Sequence, residues 1–236
     1  MHLSALVALA LGASAAPTQN YQGCVDDAAA RLPYCDATLS LDARLDDLLG
    51  RLSLEEKVRT ITPQPDLGPT CDDHTGGVDA LGLPSYMWLV ETNTAVASAC
   101  LAEGKCATNF IGPMGLGASF NRTSWRLKGS VLGNEMRAFN NLGWHRAIDP
   151  VPNEKIGLTG YGPNVNIARD PRFGRNSELP GEDPLLNGEY ASQMVQGMQE
   201  EDAAGHPKML AYLKHLTACE CVCVCVSRTS EPPTYP

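Results

Sequence analysis

Along this chain the spacing of apolar residues switches repeatedly between a helical period and a strand period. Leu41, Leu45, Leu48, Leu49 and Leu52 recur at the steps of one helix face. Gly50 interrupts them, and Ser53-Leu54-Glu55-Glu56 has the form of a capping box. In that motif a serine and a glutamate three residues on each satisfy the other's backbone amide. It predicts a second helix through about Ile61. Trp125, Leu132, Met136 and Phe139 line a further helix face, with Asn121 at the capping position. Asp183 caps another, with Pro184 at the first helical position, where a missing N–H costs nothing. Leu186, Tyr190, Met194 and Met198 form its apolar stripe. Between these helices lie segments read as four strands: Val78–Pro84, part of the Gly-rich Phe110–Ser119, the alternating Val165 and Ile167, and Met209–Leu213. Asn140–Lys155 and Arg169–Glu182 read as connections. Strands alternating with helices pack as a parallel sheet with crossover connections. Repeated about eight times, the unit closes a (β/α)8 barrel of ~250 residues. An open doubly wound sheet satisfies the same alternation, and four strands do not choose between them.

The 236 residues suffice for one sizeable core, and 43% hydrophobic with 19% charged residues fits a globular protein. A net charge of −9 argues against nucleic acid as a partner, because phosphate contacts need clustered Lys and Arg. It equally disfavours an anionic membrane surface. The first residues read as a secretory signal: Leu3–Leu11 is apolar but too short to span a bilayer, and Ala13-Ser14-Ala15 offers small residues for cleavage. Cleavage is expected after Ala15, since a cut after Ala16 would leave Pro17 beside it. The expected location is therefore extracellular or within the endomembrane lumen. There Cys24, Cys35, Cys71, Cys100 and Cys106 would be free to pair. Cys100 and Cys106 bracket a short Gly-containing loop and are the first candidate bridge; Cys24 with Cys35 is the second. Spacing alone does not settle the connectivity. Asn121-Arg122-Thr123 is an N-glycosylation sequon.

The most specific stretch runs Asn164-Val165-Asn166-Ile167-Ala168-Arg169-Asp170-Pro171-Arg172-Phe173-Gly174-Arg175-Asn176-Ser177-Glu178-Leu179-Pro180-Gly181-Glu182-Asp183-Pro184. It resembles the glycoside hydrolase family 3 pattern P-N-[VI]-N-x-x-x-D-P-R-W-G-R-x-x-E-x-P-G-E-D-P. Phe173 stands where Trp is usual, Asn176-Ser177 where Gly-Gln is common, and Leu179 where Thr is common. Leu81-Gly82-Leu83-Pro84-Ser85-Tyr86-Met87-Trp88-Leu89-Val90-Glu91 is similar to the family's L-G-L-P-x-Y-x-W-W-x-E. Glu135-Met136-Arg137-Ala138-Phe139-Asn140-Asn141 is similar to its E-x-R-A-F-N-N. The resemblance covers roughly Cys35 to Ala218. It implies an α/β fold: the N-terminal part of a (β/α)8 barrel of the β-xylosidase/β-glucosidase type, incomplete at about four βα units.

Family membership would bring a retaining exo-glycosidase chemistry on β-linked xylo- or gluco-oligosaccharides, needing no cofactor and no metal. By resemblance, Lys214 and His215 at a strand end hydrogen-bond hydroxyls of the sugar at the cleavage point. Glu91 accepts from other hydroxyls, Arg175 offers a fork of donors, and Tyr161 walls the pocket. Each has a plainer use. Lys214 and His215 fit a solvated strand end, Glu91 an exposed loop acid, Tyr161 the core, and Arg175 a brace to Glu178 or Asp183. The Leu-His-Gly that usually follows the acid is here Asn93-Thr94-Ala95.

Retaining glycosidases need two carboxyl groups ~5–5.5 Å apart, a nucleophile and an acid/base. In the family the nucleophile is an Asp near the seventh strand, and the acid/base usually comes from a following domain. Neither is expected among the residues here, so hydrolysis by this chain alone is not expected. Residues 1–15 thus read as a signal, 16–218 as a partial barrel and 219–236 as an unrelated tail. In that tail Cys219-Glu220-Cys221-Val222-Cys223-Val224-Cys225-Val226 lacks the partners of a familiar zinc pattern. Alternating Cys and Val codons can spell a TG repeat, which suggests a translated intron or shifted frame. The competing expectations are a glycan-binding remnant without catalysis, or a non-functional product.

Overall fold

The computed structural model describes residues 24, 29–63, 74–83, 85–97, 100–102, 104–142 and 157–215. The expected signal at 1–15, most of the 140–155 connection and the Cys-Val tail lie outside them.

Two capped helices come first. The Ser40 hydroxyl accepts from the Ala43 amide at the start of α1 (Leu41–Arg51). The capping box closes in both directions at α2 (Leu54–Ile61): Ser53 Oγ accepts from Glu56 N, and the Glu56 carboxylate accepts from Ser53 N. Their leucine stripe is only partly covered. Leu52 is buried, whereas Leu41, Leu45, Leu49, Leu54, Val58 and Ile61 are exposed. Next, β1 (His74–Thr75) pairs antiparallel with β2 (Tyr86–Met87), and β3 (Val90–Glu91) follows. A small hairpin, β4 (Cys100–Ala102) with β5 (Lys105–Cys106), is closed by the Cys100–Cys106 disulfide. A second disulfide joins Cys24 and Cys35. The short α3 (Pro113–Gly117) leads to the long α4 (Arg122–Asn141), capped by the Asn121 side chain. Then come β6 (Thr159–Asn164), α5 (Pro184–Met198), capped by Asp183, and β7 (Leu210–Lys214).

Strands β3, β6 and β7 form one parallel sheet in that spatial order. Successive strands of this sheet pair directly, with the long helix α4 between β3 and β6 and α5 between β6 and β7. Both helices pack on each other and on one face of the sheet, through Val90, Met209, Trp125, Leu132, Met136, Phe139, Tyr190, Met194 and Met198. A doubly wound sheet would put helices on both faces. The single helical layer and unreversed order are those of a barrel segment, and no closed barrel is formed among the described residues. At the helix crossing the backbones nearly touch. A Cβ on Gly129 would collide with the Met194 carbonyl, and one on Gly197 with the Arg126 carbonyl.

Four expected strands are corrected to three. Val78–Leu83, the described part of the expected Val78–Pro84 strand, is a turn: Asp79–Leu81 is a 3-10 turn, and Gly82, at φ 64°, returns Leu83 to bridge Val78. Within Phe110–Ser119 the structure has α3 in place of a strand, because Pro113 lacks a ladder donor and suits a first helical turn. The strand placed on Val165 and Ile167 lies wholly before them, spanning Thr159–Asn164. Gly160, Gly162 and Pro163 conceal it, yet Gly160 is needed there because a Cβ would strike Met209, Thr92 and Met198. The short β3 strand at Val90–Glu91 was not expected, and β7 lies one residue beyond Met209–Leu213.

Candidate functional site

Parallel pairing puts the C-terminal ends of β3, β6 and β7 side by side, at Glu91, Asn164 and Lys214. In barrels of this type that rim carries the functional side chains. Residues at one register share a face. Val90, Gly160 and Ala211 are aligned and face the helices, while Glu91, Tyr161 and Tyr212 are aligned on the opposite face. Lys214, two residues past Tyr212, lies on that opposite face too.

Lys214 is 6% exposed, and its Nζ donates to Glu91 Oε2 at 2.8 Å; Glu178 Oε2 lies 3.9 Å away. Glu91 uses its other oxygen to accept from the backbone amides of Thr92 and Asn93, at 2.9 Å each. Glu178 is gripped from two directions. Arg175 donates through Nε at 2.5 Å and Nη2 at 2.6 Å, and Asn93 Nδ2 donates at 3.0 Å. Burial pushes the Glu178 carboxyl up, but the Arg175 hydrogen bonds and the charges of Arg175, Lys214 and His215 outweigh it. It is held below the usual carboxylate range. His215 follows across a cis peptide bond. Burial, with the charges of Arg175 and Lys214, holds its imidazole below the ordinary value.

Asn166 fastens His215 by its backbone. Its Oδ1 accepts from His215 N at 2.7 Å, and its Nδ2 donates to His215 O at 3.3 Å. The Asn166 carbonyl in turn accepts from Asn187 Nδ2 on α5 at 2.5 Å. Tyr161 stacks on Tyr212, with ring centroids 4.7 Å apart and 17° between planes. It also lines a cavity of about 350 Å³ with Thr60, Ile61, Pro63, His74, Thr75 and Trp88.

Glu91, Arg175, Lys214 and His215, scattered over the chain, are thus gathered into one charged cluster, with Tyr161 on the same sheet face. The expected Arg175–Glu178 brace is present, and Asp183 caps α5 instead of joining it. Asn93, Asn166 and Lys128 were not singled out from sequence. The signal for Lys128 was available, since a lysine sits inside the apolar stripe of α4 and is fully buried there. Among the described residues no group of three or more His, Cys, Asp or Glu is placed to hold a metal, and no helix is long and apolar enough to cross a membrane.

A single-layered parallel α/β barrel segment whose strand ends carry a pre-formed polar cluster defines the class. The comparisons then specify it. Residues 98–222 match the family described as the glycosyl hydrolase family 3 N terminal domain. Beta-D-xylosidase 3 of Arabidopsis thaliana is 40% identical over 197 residues, which are 80% of this chain and 23% of that protein. Exo-1,4-beta-xylosidase bxlB of Emericella nidulans is 34% identical over 205 residues, 84% of this chain and 24% of its own. A solved family 3 exo-beta-xylosidase, XlnD, in complex with a xylobiose aziridine activity-based probe, superposes with a TM-score of 0.64 at 29% identity. That match covers 82% of this chain and 23% of XlnD. The chain belongs to glycosyl hydrolase family 3. It spans about a quarter of the length of the curated relatives it matches.

Proposed function

We propose that this chain forms the sugar-holding part of a glycosidase acting on terminal, non-reducing β-linked xylose or glucose. One observation carries the reading: Glu91, Arg175, Glu178, Lys214 and His215 converge at the C-terminal ends of three neighbouring parallel strands. Such a ring of fixed donors and acceptors suits vicinal hydroxyls. Lys214 and His215 would donate to or accept from them, Glu91 would accept, and the Tyr161–Tyr212 pair would offer an apolar face. The xylosidase relatives favour xylose, which they are named for.

Glu91 and Glu178 both already accept hydrogen bonds from fixed donors. Glu178 is held as an anion by Arg175, and Glu91 accepts from two amides and Lys214. A general acid needs a proton to give near the working pH. Both therefore serve to hold the sugar, and the bond-breaking carboxyls lie outside this cluster. The 236-residue chain is accordingly expected to bind D-xylose without hydrolysing aryl β-xylosides or β-glucosides. Titration calorimetry with xylose, beside a chromogenic assay, tests both halves. No binding at millimolar sugar would overturn the reading, and so would turnover abolished by Glu91→Gln or Glu178→Gln.

Secretion belongs to the same proposal. The two disulfides and the sequon at the exposed start of α4 support export to an oxidising compartment. Mass spectrometry of the secreted product would then find a glycan on Asn121 and an N-terminus at Ala16.

A further inference from the structure

Among the described residues, Lys128 is the buried lysine that the sugar-holding reading leaves unused. It sits on α4 between Trp125 and Leu132, at 0% exposure. A lysine amine in such a place has lost its water shell and needs compensating contacts. Here they are carbonyls rather than a carboxylate. Nζ donates to Asn93 O at 2.5 Å and lies 3.4 Å from Ile111 O, with the Phe110 ring centroid at 5.8 Å. The other charges on α4 and α5 are engaged elsewhere: Arg122 with Glu189, Arg126 with Glu200 and Gln196, Glu135 with Thr108, and Arg137 with the Pro207 carbonyl. Burial pushes the Tyr190 phenol on α5 up, so it stays neutral. Burial also pushes the Lys128 amine down to about 8, partly offset by the nearby charge of Glu91.

The residue it holds is the hinge of the cluster. Asn93 donates its backbone N–H to Glu91 and its side-chain amide to Glu178, so one residue touches both carboxylates that flank Lys214. Its third polar group, the carbonyl, is the one Lys128 takes. The neighbouring segment is tied down as well, by Ala97 N to Glu91 O and Phe110 N to Thr94 O.

We infer that Lys128 is a positioning residue of the sugar site: from beneath the sheet rim it anchors Asn93, and through Asn93 it sets where Glu91 and Glu178 stand. This rests on the sugar-holding reading for its purpose, though not for its geometry. It acts through Asn93 and does not touch the sugar.

The test is an NMR titration of the intact chain, following the backbone amides of Thr92 and Asn93. In the wild type both signals should shift with a midpoint near pH 8 as Lys128 loses its proton. Lys128→Met should displace both signals, abolish the pH response and raise the Kd for D-xylose about tenfold. Lys128→Gln, a neutral donor, should bring the signals and the affinity back towards wild type without restoring the pH response. A merely structural lysine would lower the melting temperature and leave the amides of the surviving fold and the Kd unmoved. Amides indifferent to pH from 6 to 10 in the wild type would overturn the inference without any variant. If the amides behave as stated while xylose does not bind, the sugar reading falls and the anchoring role stands. If xylose binds equally in wild type and Lys128→Met, the anchoring role falls and the sugar reading stands.

Discussion

Among the described residues two lysines are buried, and their surroundings differ in kind. Lys214 closes β7 at the rim, against the carboxylates of Glu91 and Glu178. Lys128 lies inside the α4 stripe, against carbonyl dipoles and an aromatic ring. A carboxylate carries a full charge, so Lys214 stands in a balanced cluster beside water, with Glu91 46% exposed at its side chain. A carbonyl carries only a dipole, and Lys128 is fully buried, so burial wins and its proton is held weakly. One cation is placed to meet a ligand, and the other to hold a backbone. The contrast shows that burial of a charge is not by itself the mark of a binding group; the partner type decides.

The largest expected effect separates the two by pH. Unfolded, the Lys128 amine keeps its proton up to about 10.5; folded, it releases it at about 8. Between those values the unfolded state binds more protons, so stability rises with pH across that window, by about 3 kcal/mol if the full shift is realised. Urea unfolding from pH 7.5 to 10.5 would show the rise in the wild type and its loss in Lys128→Met. A flat profile would mean that Lys128 finds water or a carboxylate after all.

Next comes Lys214. Lys214→Met removes a charged donor and leaves Glu91 without its cation, so the Kd for xylose should increase roughly 10- to 100-fold, the scale of a lost hydrogen bond to a charged group. In any form of the enzyme that turns over, kcat/KM should fall by about 100-fold, as should that of His215→Ala. Unchanged affinity would return Lys214 to a solvated strand end.

A third change probes the packing under Lys128. Gly129→Ala puts a methyl against the Met194 carbonyl and forces α4 from α5. It should cost about 1–3 kcal/mol in urea unfolding, the usual scale of overpacking. The smallest effect is expected at a third kind of cation. Arg122 pairs with Glu189 at 2.8 Å on the open surface, with 63% and 38% of the two side chains exposed. Arg122→Ala should change stability by less than about 1 kcal/mol and the sugar affinity not at all.

Much of this was legible in the sequence because it is local. A serine and a glutamate three residues apart suffice to close the cap of α2, and Asp183-Pro184 to start α5, since every group involved lies within one helical turn. The apolar spacing of α4 and α5 likewise identified their buried faces, and the long ordered motif from Asn164 to Pro184 pointed to the family. Strands were less legible. β6 carries two glycines and a proline, and it exists because its neighbours supply the ladder and because Met209, Thr92 and Met198 leave no room for a side chain at Gly160.

What only the tertiary structure decided is which residues meet. Lys214 and Glu91 are 123 residues apart, and nothing in either's own neighbourhood names the other. Parallel pairing through β6 brings them together. Asn93 reads as an ordinary loop asparagine until the sheet sets its amide beside Glu178 and its carbonyl over Lys128. The amino-acid order by itself determined the four longer helices, their caps and the family motif, because their energetics lie within a few residues of chain, whereas the short α3 was not legible there. The site and its buried anchor depend on contacts across the sheet and between layers, which exist only once the strands have paired and α4 has closed against them.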